Sequence, residues 1–334
     1  MISKTTGFRS AEVTFGESDL LVRVRAARRA ARRSSIICLI VAIASTTCMA
    51  QDAPGFATVE DRTFIAKFDG SEQKYVIMTP HGFAPDQSVS LLIALHGHGS
   101  DRWQFVRQPR GECRGARDVA ADNKMLLISP DYRAKTSWMG PAAEADVLQI
   151  IQTLKQRFEV EHVILCGGSM GGTGALTFTA LHPDMINAVV SLNGTANLVE
   201  YERFQDAIAK SFGGSKKQVP DEYRKRSAEF FQNRFTMPFA ATTGGKDNIV
   251  PPASVLRLIG SAREHNPNVL SLHRTDGEHS TSYEEYEESS GVCNRRLRWR
   301  RITLCESYPT SSRIGSVRMV SFRTSVCSRP FVLP

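Results

Sequence analysis

The feature that most constrains the fold is an alternation, over residues 75–272, of short apolar runs with longer amphipathic stretches. Strands of a parallel sheet are apolar throughout when helices cover both faces, so this alternation indicates βα units. Strands are predicted at 75–78, 91–95, 125–129, 162–166, 188–192, 239–242 and 269–272. Helices are predicted at about 115–123, 142–158, 170–181 and 253–265. This order predicts an α/β fold with a mostly parallel, doubly wound central sheet and helices on both faces.

A Gly-x-Ser-x-Gly pattern joins the strand predicted at 162–166 to the helix predicted at 170–181. It reads Gly167-Gly168-Ser169-Met170-Gly171. A nucleophile on so tight a turn requires small neighbours, because a Cβ at the flanking glycines would clash with the strained backbone. The turn would present Ser169 Oγ at the carboxyl edge of the sheet, beside the N-terminus of the following helix. The motif therefore predicts Ser169 as a nucleophile.

A serine hydroxyl needs a base within hydrogen-bond reach and an acid that orients the base. In this strand, turn and helix context the expected chain order is Ser, then Asp or Glu, then His. Asp247 follows the strand predicted at 239–242, and His279 follows the strand predicted at 269–272. Ser169, Asp247 and His279 are therefore the predicted catalytic residues. Asp276 and Glu278 are weaker candidates for the acid, since neighbours in a loop seldom turn their side chains onto one another's ring.

The loop after the strand at 91–95 reads His96-Gly97-His98-Gly99 and is predicted to bound an oxyanion hole. The predicted donors are the backbone amides of His98 and of Met170, the residue after the nucleophile. Alternatively, His96 and His98 could share a metal ion, but no third His, Asp or Glu recurs at ligand spacing in the sequence. We expect neither a metal nor another cofactor.

These segments together resemble the α/β-hydrolase superfamily. The resemblance rests on residues 96–99, 167–172, 181–184, 244–251 and 276–279 and covers about residues 70–285. Within the superfamily, residues 169–172 and the later Tyr223-Arg224-Lys225-Arg226-Ser227 are similar to the prolyl-oligopeptidase-like catalytic domain. They are also similar to secreted esterases such as feruloyl esterases and polyhydroxybutyrate depolymerases.

The resemblance implies hydrolysis of carboxylic esters through an acyl-enzyme, with a small-molecule or polymer ester as the partner. The first alternative is a serine peptidase of the oligopeptidase type. That branch usually carries a β-propeller ahead of the catalytic domain. Here only about twenty residues separate the signal described below from the first predicted strand, so the oligopeptidase alternative loses support. The second alternative is a catalytically silent binding module on the same fold, against which the three predicted catalytic residues argue.

The N-terminal 50 residues have the order of a secretory signal. Six arginines at residues 23–33 precede an apolar stretch at 36–44, which is too short to span a bilayer, and small residues follow up to Ala50. We predict a signal peptide over 1–50 with a long basic n-region, a secreted or periplasmic protein, and no stable membrane span after signal removal. The long n-region suggests a true start downstream of Met1. An amphipathic or buried helix is the alternative.

The remaining chain is predicted to form one catalytic domain, 51–288, followed by a tail, 289–334. Residues 194–237 are longer and more polar than an ordinary connection, and they form either a cap insertion or a plain surface excursion. In the tail lysine is absent, and Gly291 interrupts a helical pattern that begins at Tyr283. We assign the tail no fold and no clear last helix. It is a disordered segment, a basic surface tail or an out-of-frame ending.

Charge and cysteine placement exclude two classes of protein. The net charge of +8 lies at the ends, because 1–50 carry eight Lys/Arg against three acids and 289–334 carry nine Arg against one Glu. The middle then has a net charge of −5, which offers no basic field for a phosphate backbone, so we expect no nucleic-acid partner. Only Cys113 and Cys166 fall in the predicted domain, which permits one disulfide but argues against a disulfide framework.

Overall fold

The structure is a computed structural model that describes residues 55–305, with side chains described for 55–294. The predicted signal peptide, 1–50, and the end of the predicted tail lie outside the described residues. The strands are β1 Phe56–Ile65, β2 Glu72–Pro80, β3 Val89–Leu95, β4 Leu126–Pro130, β5 Val160–Gly168, β6 Ala188–Leu192, β7 Phe239–Gly244 and β8 Val269–Arg274. They form one sheet of order β1-β2-β4-β3-β5-β6-β7-β8. The pairs β1/β2 and β2/β4 are antiparallel and the other pairs are parallel.

Helices pack on both faces of this sheet. They are α1 Gln104–Arg107, α2 Gly111–Asp122, α3 Pro141–Arg157, α4 Met170–Leu181, α5 Gln205–Phe212, α6 Pro220–Lys225, α7 Ala253–Arg263 and α8 Tyr283–Cys305, with short 3-10 helices at Pro183–Met185 and Ala228–Arg234. Along β3, Leu91 and Ile93 belong to one hydrophobic cluster with α3, α4 and α7, whereas Leu92 and Ala94 belong to another with α2 and α8. Because alternate strand residues face opposite sides, the predicted doubly wound fold is confirmed.

All seven predicted strands are present, but β1 was not predicted. This edge strand pairs on one side only, with β2, and most of its residues are exposed or half-buried. Charged residues such as Glu60, Asp61 and Arg62 occupy its middle, so it has no continuous apolar run. An antiparallel edge strand that is covered on one face gives a weaker signal than a central parallel strand.

The last helix, α8, corrects the prediction that no clear helix ends the fold. It begins at Tyr283, continues past Gly291, and contains the predicted domain boundary at 288/289. Its buried residues recur at helical spacing and face α2, β6 and β7; they are Tyr286, Ser289, Ser290 and Cys293. A glycine costs a helix about 1 kcal/mol, which this packing outweighs. The contact is close, because a Cβ at Gly115 of α2 would lie 2.9 Å from the Tyr286 ring.

The insertion at 194–237 contains α5, α6 and the 3-10 helix Ala228–Arg234, and a buried arginine fastens it to α3. The Arg226 guanidinium pairs with Glu144 of α3 at 2.8 Å and with Glu222 at 3.0 Å. It also donates a hydrogen bond to the Met139 carbonyl, at 2.7 Å. Removing one partner from a buried ion pair leaves an uncompensated charge, so these contacts fix the insertion on the body of the domain.

Three cysteines in the described part of the chain are buried free thiols, namely Cys113, Cys166 and Cys293. The disulfide that the sequence permitted between Cys113 and Cys166 is therefore not formed. Burial raises the pKa of each thiol to about 12, so all three are inert apolar side chains at neutral pH. None of the helices within residues 55–305 combines the length and hydropathy needed to cross a membrane.

Candidate active site

Ser169 lies on the turn between β5 and α4 with a left-handed backbone, φ 58° and ψ −117°. The glycines two residues away on each side make this turn possible. A Cβ at Gly167 would lie 2.5 Å from the Gly171 backbone, and a Cβ at Gly171 would overlap the Leu95 carbonyl oxygen. At Gly168, by contrast, a Cβ would meet nothing within 4 Å. The predicted steric requirement therefore applies to Gly167 and Gly171 but not to the immediate neighbour of the serine.

The structure brings Ser169, His279 and Asp247 into one hydrogen-bonded series. His279 Nε2 lies 2.9 Å from Ser169 Oγ, and His279 Nδ1 lies 2.6 Å from Asp247 Oδ2. Asp247 Oδ1 accepts hydrogen bonds from the backbone amides of Ile249, at 2.9 Å, and Val250, at 2.8 Å. The Asp247 side chain is 1% exposed. The carboxylate is therefore buried, and both of its oxygens accept hydrogen bonds. This arrangement can carry a proton from the serine to the imidazole.

The acid and the base stand on neighbouring loops at the carboxyl ends of β7 and β8. These loops are held together by backbone hydrogen bonds from Gly245 to Arg274, at 2.8 Å, and from Lys246 to Gly277, at 2.9 Å. A Cβ at Gly245 would overlap the Thr275 carbonyl oxygen, so only glycine permits the approach. The spacing between Asp247 and His279 is thus set by backbone contacts.

The weaker acid candidates do not reach the imidazole. The Asp276 side chain is 82% exposed and pairs with Lys246 at 2.8 Å. Glu278 is exposed, and the hydrogen bond that Arg274 gives it goes to its backbone carbonyl. Of the three candidates, only Asp247 contacts His279.

The loop at 96–99 lies against the nucleophile turn, because a Cβ at Gly97 would be 3.8 Å from Ser169 Cβ. The Gly97 amide donates to Gln104 Oε1 at 2.9 Å, and the Gly99 amide donates to the Lys135 carbonyl at 2.8 Å. Among the hydrogen bonds of residues 55–305, none uses the amide of His98 or of Met170. These two amides were the predicted oxyanion donors. Met170 is fully buried, and the assignment of both amides stays a prediction.

The two histidines of this loop have separate partners. His96 is buried, with its ring nitrogens 2.9 Å from the Gly97 carbonyl and 3.0 Å from the Asp131 carbonyl. His98 Nδ1 accepts a hydrogen bond from Trp138 Nε1 at 3.2 Å. Among the described side chains, no three His, Cys, Asp or Glu residues are grouped as ligands for a metal ion.

A cleft of about 440 Å³ opens over Ser169 and His279, within the range of small-molecule sites. Leu192, Phe204 and Ile249 give it apolar surface. Its polar lining includes Gln104, Gln108, Arg110 and Glu112. None of these lining residues was predicted from sequence. Phe204 is one of several aromatic residues in the insertion, and nothing in the sequence distinguishes it from the others.

Three large aromatic residues near these loops in sequence have mainly structural contacts. Trp138 and Phe105 are fully buried. Trp103 stacks under the Arg107 guanidinium, 3.6 Å from the ring centroid. None of the three lines the cleft directly.

A family model described as the Prolyl oligopeptidase family matches residues 133–300. This segment includes Ser169, Met170, Asp247 and His279 and excludes the loop at 96–99. No curated protein matches the chain. The family evidence therefore comes from the half of the chain that carries the hydrogen-bonded series.

Several solved structures share the fold at low sequence identity. A putative dipeptidyl aminopeptidase IV from Bacteroides ovatus ATCC 8483 has a TM-score of 0.58 and 14% identity, over 74% of this chain and 36% of that one. A puromycin hydrolase has a TM-score of 0.59 and 19% identity, over 75% of this chain and 41% of that one. A ferulic acid esterase has a TM-score of 0.54 and 15% identity, over 72% of this chain and 97% of that one. The chain thus spans about a third of the first structure and nearly all of the esterase.

Proposed function

Because this chain belongs to the prolyl oligopeptidase family of serine hydrolases, we propose that it hydrolyses carboxylic esters through an acyl-enzyme formed at Ser169. The observation that carries the proposal is the series Ser169 Oγ, His279 and Asp247, joined at 2.9 and 2.6 Å. The series stands at the carboxyl edge of a mostly parallel sheet, where α/β enzymes place their reacting groups.

In the first half-reaction, Ser169 Oγ attacks the ester carbonyl carbon and His279 Nε2 accepts the hydroxyl proton. Asp247 holds the proton of His279 on Nδ1 and stabilises the imidazolium that forms. Because two backbone amides bind its other oxygen, the carboxylate keeps its orientation throughout. The tetrahedral intermediate then collapses, the carbon–alkoxide bond breaks, and His279 gives its proton to the departing alcohol.

The second half-reaction repeats the geometry with water as the nucleophile. His279 removes a proton from the water, which attacks the acyl carbon, and the proton returns to Ser169 Oγ as the acid leaves. In both halves the oxyanion is bound by the amides of His98 and Met170. A donor of this kind typically contributes about 3 kcal/mol to the transition state.

The fold that this chain shares with a ferulic acid esterase supports ester hydrolysis. The structural match covers 97% of that esterase and 72% of this chain. The family match supports a serine peptidase as the second candidate. Both candidates use the same acyl-enzyme chemistry and differ in the leaving group.

Covalent labelling with a fluorophosphonate probe tests the nucleophile. We expect the wild type to be labelled and Ser169→Ala to remain unlabelled. The matched control is Ser261→Ala on α7, a serine that does not line the cleft, and it should label like the wild type. Labelling that survives Ser169→Ala would refute the assignment.

Turnover of short p-nitrophenyl esters beside aminoacyl-peptide substrates tests the leaving group. We expect ester turnover that Ser169→Ala abolishes. Peptide turnover without ester turnover would reject the esterase in favour of the second candidate.

The protein is also proposed to be secreted or periplasmic, on the basis of the arginines and the apolar stretch of residues 1–50. Expression in a bacterial host should deliver a mature protein that begins at Gln51, as measured by N-terminal sequencing. Recovery from the cytoplasm with residues 1–50 intact would contradict this.

A further inference from the structure

Two aromatic side chains in the wall of the cleft, Phe204 and His98, take no part in the proposed acyl transfer. Phe204, from the insertion, lies over His98 with 4.4 Å between ring centroids and an interplanar angle of 39°. It also packs on the buried ring of Trp138, at 5.4 Å and 34°. Phe204 and His98 line the same cleft as Ser169 and His279.

The position of Phe204 is costly for folding. Its side chain is 37% exposed, although it is a large apolar residue. Its backbone is left-handed, with φ 56° and ψ 29°, a region in which a bulky residue is a conformational outlier. Strain of this kind concentrates at functional sites. Phe204 thus packs on His98 and Trp138 while part of it remains exposed in the cleft.

The ring of His98 is fixed in one orientation and one tautomer. Trp138 Nε1–H donates to His98 Nδ1 at 3.2 Å, so Nδ1 carries no proton and Nε2 carries it. Burial also lowers the pKa of His98, which favours the neutral ring. A neutral imidazole offers a planar surface without a charge that would need solvation.

We propose that Phe204 and His98 bind a planar aromatic ring of the substrate, so that the preferred esters carry an aryl group in either the acyl part or the alcohol part. The inference rests on the proposed ester hydrolysis at Ser169. Aromatic rings prefer tilted or offset contacts with neighbouring rings at centroid distances of 4.5–7 Å. The tilted pairs already present in this wall lie at or near that range.

The test compares esters that match in size but differ in aromaticity. The acyl pair is methyl 3-phenylpropionate and methyl 3-cyclohexylpropionate, and the alcohol pair is benzyl acetate and cyclohexylmethyl acetate. The readout is the ratio of kcat/KM for the aryl ester to kcat/KM for its cyclohexyl partner. Because each variant is compared with the wild type on the same pair, intrinsic differences in ester reactivity cancel.

We expect Phe204→Leu to lower this ratio about two- to tenfold in at least one pair. An aromatic pair stabilises a complex beyond the effect of its buried area, and that extra stabilisation corresponds to a rate ratio of this size. Phe204→Tyr keeps the ring and should preserve the ratio. Phe68→Leu is the matched control, because Phe68 is 55% exposed and lies outside the cleft. It should also leave the ratio unchanged.

An unchanged ratio in both pairs for Phe204→Leu, with the esters still hydrolysed, would overturn the inference and leave the proposed function standing. If the wild type hydrolyses none of the four esters, the proposed function fails, and the inference with it. Should Phe204→Leu fold poorly, the wild type alone gives a second measurement. Benzyl alcohol should inhibit competitively at a lower concentration than cyclohexylmethanol, and equal inhibition would overturn the inference.

Discussion

Asp247→Asn should abolish most turnover while leaving the fold intact, because the surroundings of Asp247 decide which way the new amide points. In the native site Oδ1 accepts hydrogen bonds from two backbone amides, and Oδ2 accepts one from His279. An asparagine has a single acceptor oxygen. Directed at the two amides, it keeps two hydrogen bonds, each worth about 1 kcal/mol. Directed at His279, it keeps one and turns an NH2 group onto two N–H donors.

The first orientation therefore dominates, and it places the asparagine NH2 against His279 Nδ1. The imidazole must then accept a hydrogen bond at Nδ1 and carry its proton on Nε2, where it can no longer deprotonate Ser169. A triad locked in this tautomer loses about 10⁴ in kcat, or about 5 kcal/mol of transition-state stabilisation.

The assay is kcat with a short p-nitrophenyl ester, together with the thermal unfolding midpoint of each protein. Asp276→Asn is the matched control, because it removes an exposed carboxylate from the neighbouring loop and breaks only a surface pair with Lys246. Its kcat should stay within about twofold of the wild type, since such pairs contribute little. A folded Asp247→Asn variant with kcat within about tenfold of the wild type would refute the reasoning.

Three further predictions concern the fold. Gly171→Ala should prevent soluble expression or sharply lower the thermal unfolding midpoint, because its Cβ would overlap the Leu95 carbonyl oxygen. Gly168→Ala should fold normally, since its Cβ would meet nothing within 4 Å. Melting curves of both variants measure the difference, and equal midpoints would contradict the prediction. Burial alone would raise the pKa of Glu144, but hydrogen bonds from His182 and Arg226 bring it down to about 2, below the ordinary value of 4.5. Its contribution to stability is therefore complete above about pH 5 and is lost as the pH falls toward 2, and urea unfolding should show up to about 3 kcal/mol of pH-dependent stability that Glu144→Gln lacks. The three buried thiols, Cys113, Cys166 and Cys293, should react with Ellman's reagent only after unfolding. Site-resolved mass spectrometry measures this, and rapid labelling of the native protein would contradict their burial.

The central sheet was predictable because each buried parallel strand is an apolar run between helical patterns. The helix at Met170–Leu181 was predicted with its observed bounds. The edge strand β1 was not predictable in this way, because half of its surface is in water and its middle is charged. The last helix was missed for a different reason. Its buried face is built from Tyr286, two serines and Cys293 rather than from large aliphatic residues, so the pattern is visible only once its partner surface is known.

The contacts between Ser169, Asp247 and His279 follow from their order and from strand ends that meet at one edge of the sheet. The walls of the cleft do not follow in this way. Phe204 lines the same cleft as Ser169, and a buried ion pair between Arg226 and Glu144 holds its insertion to α3. No local pattern in the sequence encodes that pairing, since Glu144 lies in α3 and Arg226 follows α6, far along the chain.

The position of α8 also governs when, during synthesis, the site becomes complete. His279 follows Ser169 by 110 residues, and α8 begins four residues later and packs on α2, where a Cβ at Gly111 would lie 2.5 Å from the Tyr283 amide nitrogen. A ribosome-bound chain can therefore form the nucleophile turn well before its base arrives. We therefore expect an incomplete chain that ends before His279 to be inactive even with Ser169 in place, because it lacks the proposed base.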